Sequence, residues 1–421
     1  MRSYVDAILT AVMWFPFVAF LFTLPFMVVQ YRKYGAVLML RTVIVYSFIL
    51  YLMCADFLTI LPLPPIEKVA QLKSEYLQLM PFTDVVNWIQ KSGAVLNQPA
   101  TWIRLIWNRD LFVMVANIVM LIPMGIYLRY YFGCSWKQTF FISLGTSLIF
   151  ELTQLSALFG IYPRPYRLCE TDDLITNTLG GMIGFWLAKP LMKRLPTHEH
   201  LNAVAYHKGQ HVSVTRRVTA ALVDWMLIGF VMAILVFATP MLAWLFEGKV
   251  ATTLLRLAML YVTVVFLYFI LGEWLQGGLT IGKRLTHLRL IDDRGGQGRP
   301  KLWQCMIRYA LLYYGFVPLP VVALILWIAS YNNEHINYLI FGASILLLLL
   351  YMIVVVMVVI RVLTKSNQLP HGELSKTRNI STLIVTTDML EVVGDKPSDD
   401  PKVCGDDASE APEADETLLN A

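Results

Sequence analysis

Charge is scarce in this chain. Only 15% of its 421 residues are Asp, Glu, Lys or Arg, against about 25% in ordinary soluble domains, while 57% are hydrophobic. With a mean hydropathy of +0.59, that balance excludes a water-soluble globular protein. Cysteine is sparse as well. Cys54, Cys134, Cys169, Cys305 and Cys404 are odd in number, widely spaced and without a CxxC, which excludes a disulfide framework or a cysteine zinc site. The histidines form no HExxH, and His198, His200, His207 and His211 fall together in a polar stretch expected to be solvated. A GxxxxGK[ST] phosphate loop and a GxSxG nucleophile elbow are both missing. No metal or cofactor is expected from these patterns.

What is present is a succession of apolar runs, each near the roughly 17–25 residues that cross a bilayer. They fall at about 7–30, 37–61, 111–131, 139–160, 174–195, 217–239, 252–275, 305–329 and 338–363. The first is too long for a cleaved signal and leads directly into the second, so it is expected to be retained. The fold expected is all-α: a polytopic integral membrane protein with about nine transmembrane helices in two bundles. The bundles are expected over 1–195 and 216–379, joined by a cytoplasmic linker over 196–215. Residues 62–110 make a long loop opening on LPLPP, with Trp88 and Trp102 suited to the membrane interface.

A disordered acidic tail is expected over 380–421. Between 388 and 416 it holds 11 acids against Lys396 and Lys402; the whole chain is +5, so the remainder is +14. That excess sits at span ends and suits contact with anionic lipid, with no nucleic-acid partner required. Lys189, Lys193, Arg194, Lys208, Arg216 and Arg217 cluster around the linker, and Lys283, Arg284, Arg289, Arg294, Arg299 and Lys301 fill 276–303. The positive-inside rule then places both segments and the C-terminus in the cytoplasm, and 62–110 and 161–173 outside.

In the stretch RLCETDDLITNTLGG, Arg167, Glu170, Asp172 and Asp173 stand before an apolar, glycine-bearing helix. Acids at a helix start accept orphan amide hydrogens and suit the dipole, yet four charges in seven residues exceed what a cap needs. Other spans supply further polar residues: Asn117 ahead of Pro123, Glu151 and Gln154 at i and i+3, and Asn177 one turn after Asp173. A carboxylate within a span faces the bundle interior, pairs, or lines a wet cavity. Glu151 is expected to pair with one of these amides or with Arg167 or Arg164. Gly180, Gly181 and Gly184 would let another helix come close.

Together Asn117, Pro123 and Gly125, Glu151-x-x-Gln154, Arg167 and Asp173-x-x-x-Asn177 resemble the VanZ-like family over about 110–190. Glu170 departs from it conservatively, standing where an aspartate is usual. The resemblance implies an association with low-level resistance to teicoplanin-type glycopeptides, through action at the outer face of a bacterial cytoplasmic membrane. On this reading Asn117, Gln154, Arg167, Asp172 and Asn177 bind a ligand and Glu151 with Asp173 handle protons. The partners are membrane lipids, and the ligand class is a lipid-linked phosphate or cell-wall precursor, with Arg167 offering a fork of donors to an anionic head group.

From 216 onward, Arg217, Ala220 and Asp224 in RVTAALVDWML, followed by GGLTIGKRLTHLRLID, resemble the RDD family. The chain departs from it at LPHGELSKT, where Gly372 and Glu373 replace the usual acid and threonine-containing stretch. Some members have been proposed to exchange sodium for protons. That makes ion-coupled transport through Asp224 and Glu273, with Arg308 nearby, one alternative function, and a non-enzymatic assembly role another.

Overall fold

The computed structural model describes residues 2–73, 75–94, 97–98, 101–237, 250–294, 298–331, 337–364 and 369–384. Within the described residues, all nine apolar runs fall largely in helices. The first bundle comprises α1 (Arg2–Tyr34), α2 (Met39–Ile60), α4 (Arg109–Tyr130), α5 (Trp136–Leu155) and α6 (Thr171–Met192), with α3 (Thr83–Ser92) lying in the long loop. A further helix, α7 (His198–Gln210), precedes the second bundle. There, α8 (Val214–Phe237) is followed by α9 (Val250–Val265), which runs on through a π-helical turn at Phe266–Gly272. The short α10 (Ile281–Leu285) leads to α11 (Leu302–Tyr309), which also continues as a π-helix, Ala310–Phe316. The bundle ends with α12 (Leu319–Tyr331), α13 (Asn337–Leu363) and α14 (Pro370–Ser375).

Seven helices are long and apolar enough to cross a membrane among the described residues. Those over 139–160 and 174–195 are not among them, although α5 and α6 have 20 and 22 residues. The reason is compositional. Thr139, Ser143, Ser147, Glu151 and Gln154 on α5, and Asp172, Asn177 and Thr178 on α6, are buried inside the bundle. Polar side chains that face one another are shielded from lipid and lower the apparent hydropathy of a segment that still spans. Outward faces are apolar, with Phe20 and Leu346 among the strongly exposed side chains, as lipid-facing positions should be.

Local signals start these helices where the sequence places them. Asn108 accepts from the Asp110 amide at 2.8 Å to begin α4, and Ser135 with Gln138 closes a capping box on α5. The contact of α4 with α6 is backbone against backbone. A Cβ on Gly180 would stand 2.0 Å from the Ile118 carbonyl oxygen, and one on Gly184 2.0 Å from that of Ile122. The small-residue pattern thus admits the neighbour expected of it.

In the second bundle Trp225, Phe269, Tyr309 and Tyr313 pack into one aromatic core, with Tyr309 and Tyr313 stacked at 5.5 Å. The TIGKRLTHLRLI segment is α10 followed by a strand, β3 (Leu288–Asp292). That strand pairs antiparallel with β4 (Thr377–Ser381), which precedes the acidic tail. Residues 385–421, most of that tail, lie outside the described residues.

The expected polar linker differs most from its reading. His198–Gln210 is a helix, capped by Thr197, that buries Leu201 and Ala205 against Leu38. His198 meets the Tyr130 carbonyl. Beyond α7, Arg216 is fully buried. It donates to the carbonyls of Thr286 (2.6 Å), Gly209 (2.7 Å) and His287 (2.8 Å) and to the Ser381 hydroxyl (3.2 Å). Gly35 and Gly209 touch beside it, so close that a Cβ on Gly209 would lie 2.6 Å from the Tyr34 carbonyl oxygen. The two bundles are therefore joined by a packed seam.

Candidate functional site

The opposite end of the first bundle gathers its acids. Leu77–Gln78 forms β1, which pairs in parallel with β2, Cys169–Glu170, and so lays the long loop against the start of α6. Asp172 fixes it there, accepting from the Phe82 amide at 2.5 Å and the Asp84 amide at 2.7 Å. A carboxylate across two free amides caps α3 from a distant part of the chain. Asp172 thus serves the loop, and in doing so delivers the side chain of Asp84 to Glu170 and Asp173.

Carboxylate oxygens of Asp84, Glu170 and Asp173 lie within 4.8 Å of one another. Asn117 donates to Asp173 Oδ1 at 2.6 Å, and Glu151, buried on α5, accepts from the Glu170 amide at 3.0 Å. The expected partner of Glu151 was a side-chain amide or an arginine, and its hydrogen bonds instead come from the Glu170 amide and the Cys169 thiol. Arg167 donates to the Leu61 carbonyl at 2.6 Å, and its charge reaches Glu151 through space. Arg164 meets the Leu72 carbonyl.

Two further candidates stand beside the cluster in supporting positions. Gln154 donates to the Thr59 carbonyl at 3.1 Å, tying α5 to α2. Asn177 donates to Ser147 at 3.0 Å, and Ser147 in turn donates to the Asp173 carbonyl at 3.3 Å.

Carboxyl groups this close cannot all ionise without a counter-charge. Burial, then the charges of Asp84 and Asp173, push Glu170 up to about 8. Asp84 is also raised, by burial first, although its hydrogen bond with Glu170 pulls it back down. Glu170 therefore holds a proton at neutral pH and Asp84 accepts it. Burial and the neighbouring Glu151 raise Cys169 to about 11, which keeps it a thiol and removes it as a nucleophile. The chemistry available is that of a proton donor and acceptor pair. The three carboxylates are also spaced so that one hard cation, with oxygen ligands at roughly 2.0–2.6 Å, could bridge them.

Asp84 was missed in the sequence, where it is one acid in an amphipathic loop helix; the parallel pairing of β1 with β2 and the Asp172 bonds bring it in. Glu170 was counted among the four charges ahead of α6 and noted as a departure from a family pattern, but was not placed among the site residues.

In the second bundle Asp224 is saturated with donors. Tyr268 (2.7 Å) and the Gly282 amide (2.7 Å) meet one oxygen, and Thr280 (2.6 Å) meets the other. Glu273 is fully buried and bonded to Lys283 and Tyr309. Arg308 donates to Thr377 at 3.0 Å. Arg217, seven residues from Asp224, lines the same cavity as that carboxylate.

Residues 48–193 match the family model described as VanZ/LLP1, and residues 211–371 match that of the RDD family. The first match begins well before the motif residues and includes the loop that carries Asp84. No curated protein and no solved structure gives a match.

Proposed function

From a chain that joins a VanZ-like domain to an RDD-family domain in one multi-pass membrane protein, we propose that the first bundle is an envelope-facing site on the outer side of a bacterial cytoplasmic membrane. It binds a lipid-linked phosphate or cell-wall precursor and lowers teicoplanin susceptibility. The observation that carries the reading is the convergence of Asp84, Glu170 and Asp173 beside Glu151, at the bundle end away from the Lys/Arg-rich seam. The ends of α6 are about 33 Å apart by helical rise, a length that supports reading cluster and seam at opposite faces of a membrane.

Glu170 is the proton donor, bonded to Asp84, and Asp173 with Glu151 are the neighbouring proton-handling carboxylates, an arrangement suited to general acid–base work at a phosphate or glycan linkage. Arg167, three residues before Glu170, is the cation for the anionic group. Asn117 holds Asp173 in place through its 2.6 Å bond.

The experiment expresses wild type, Glu151→Gln and Asp173→Asn at matched membrane levels in a susceptible Gram-positive host. Teicoplanin susceptibility and surface binding of a fluorescent teicoplanin are then measured. Protection by wild type alone is expected. Equal protection by all three would remove the carboxyl cluster from the function, and failure of wild type to protect would remove teicoplanin from it.

A further inference from the structure

The second bundle contains a cavity of about 190 Å³ between α8, α10, α11 and α14. Its charged lining is unbalanced. Arg217, which donates to the Val212 carbonyl at 3.4 Å, Lys283 and Arg308 face it, and Asp224 is the one carboxylate among the lining residues. Lys283 is already neutralised by its buried ion pair with Glu273. The oxygens of Asp224 are held by Tyr268, Thr280 and the Gly282 amide. Arg308 is only 7% exposed, and its one side-chain hydrogen bond among the described residues goes to the neutral hydroxyl of Thr377. A guanidinium has five N–H donors, and burying that charge without an anion is strongly unfavourable.

His371, on α14 outside the spans, reports the same field. Burial, then the positive charges of Arg308, Arg217 and Lys283, hold its imidazole well below the usual range, so it stays neutral at the edge of the cavity. The remaining walls, among them Val218, Leu312 and Leu369, are apolar.

We propose that this cavity is an anion site, in which a phosphate group sits against Arg308 and Arg217. The volume lies below the roughly 300–1,000 Å³ of small-molecule sites, so the occupant is a head group or a free phosphate compound. Apolar walls beside a cationic end suit a phosphate attached to a lipid, and the guanidinium pair suits phosphate oxygens through forked donors. The site is chemically opposite to the acidic cluster of the first bundle and lies with the basic seam residues, since Arg217 directly follows Arg216 in α8.

The test uses the full chain, purified into uncharged detergent at constant ionic strength. Inorganic phosphate and, separately, short-chain phosphatidylglycerol are titrated while thermal unfolding is followed. Wild type is expected to be stabilised saturably by at least one probe. Phosphatidylglycerol acting alone identifies a lipid head group as the source, and inorganic phosphate acting alone identifies a soluble compound. Arg308→Gln should weaken the apparent Kd by roughly tenfold or more, because a hydrogen-bonded charge pair is lost. Should that variant fold poorly, Ala221→Leu, which narrows the cavity and keeps every charge, should abolish the shift while retaining the wild-type melting temperature without probe. The proposal is overturned if neither probe stabilises wild type, or if Ala221→Leu and any folded Arg308→Gln respond as wild type does.

Discussion

Gly180→Ala adds one methyl group at the place where α4 and α6 touch through their backbones. Its Cβ would lie 2.0 Å from the Ile118 carbonyl oxygen, where ordinary contact begins at 3.4 Å, so the helices must part by more than an ångström. No rotamer change relieves this clash, because the obstructing atom is backbone. Overpacking commonly costs about 1–3 kcal/mol, and a backbone obstruction belongs at the upper end, about 3 kcal/mol. For a domain of this size that corresponds to a loss of roughly 6–12 °C in Tm. Gly180 lies two turns, about 10.5 Å, from Asp173, so the same movement pulls Asp173 from Asn117. The assay is thermal unfolding in detergent, with Gly145→Ala as the control. Gly145 has open space around it and should be unchanged or slightly stabilised, since Ala is the better helix former. A Gly180→Ala protein melting within about 2 °C of wild type would show that α4 and α6 are not held in backbone contact.

The remaining predictions address charge. Asp172→Ala removes the acceptor for the Phe82 and Asp84 amides; with hydrogen bonds to charged groups at about 1.5–3 kcal/mol each, limited proteolysis within 62–110 should quicken at least tenfold, and unchanged cleavage would count against the capping role. Glu170 stands at about 8 in the folded chain against an ordinary 4.5, so the folded state binds the extra proton and stability should fall as pH rises from about 4.5 to about 8. Discounted for solvent screening, the fall is about 1–2 kcal/mol. Melting curves across that range, taken with a chelator present, should steepen for wild type relative to Glu170→Gln, and parallel curves would refute the assignment. Lys283→Met strands the buried Glu273 and should cost about 3–5 kcal/mol, while the double variant with Glu273→Leu should recover most of it. A double variant no more stable than the single would mean that the pair contributes by more than mutual neutralisation.

Seven of the nine expected spans were legible because each of those apolar runs alone is long and apolar enough to cross a bilayer. α5 and α6 were legible as helices but fall short as spans, because Glu151 and Gln154 share the inward face of one and Asp172 and Asn177 are buried on the other. Legibility stopped where partners are remote in sequence. Asp84 lies 86 residues before Glu170, and no local pattern ties the FTDVV stretch to a carboxyl cluster; a two-residue parallel ladder and the Asp172 bonds do so. His198–Gln210 reads as polar because its buried positions are small, Ala203, Ala205 and Gly209, and small residues give little periodic signal. Arg216 and Arg217 are neighbours of the same type, so their different fates, a buried anchor and a cavity wall, depend wholly on which side of α8 each occupies.

The seam around Arg216 also bears on how such a chain can be divided. A break between α7 and α8, the natural place to separate two family domains, leaves the Gly209 carbonyl on one fragment and its guanidinium partner on the other. Tyr31 and Thr215, joined at 2.7 Å, are parted in the same way. Each piece would keep half of a complementary surface, so the fragments should recognise each other when made separately, and reassembly of a split chain becomes a direct readout of the joint.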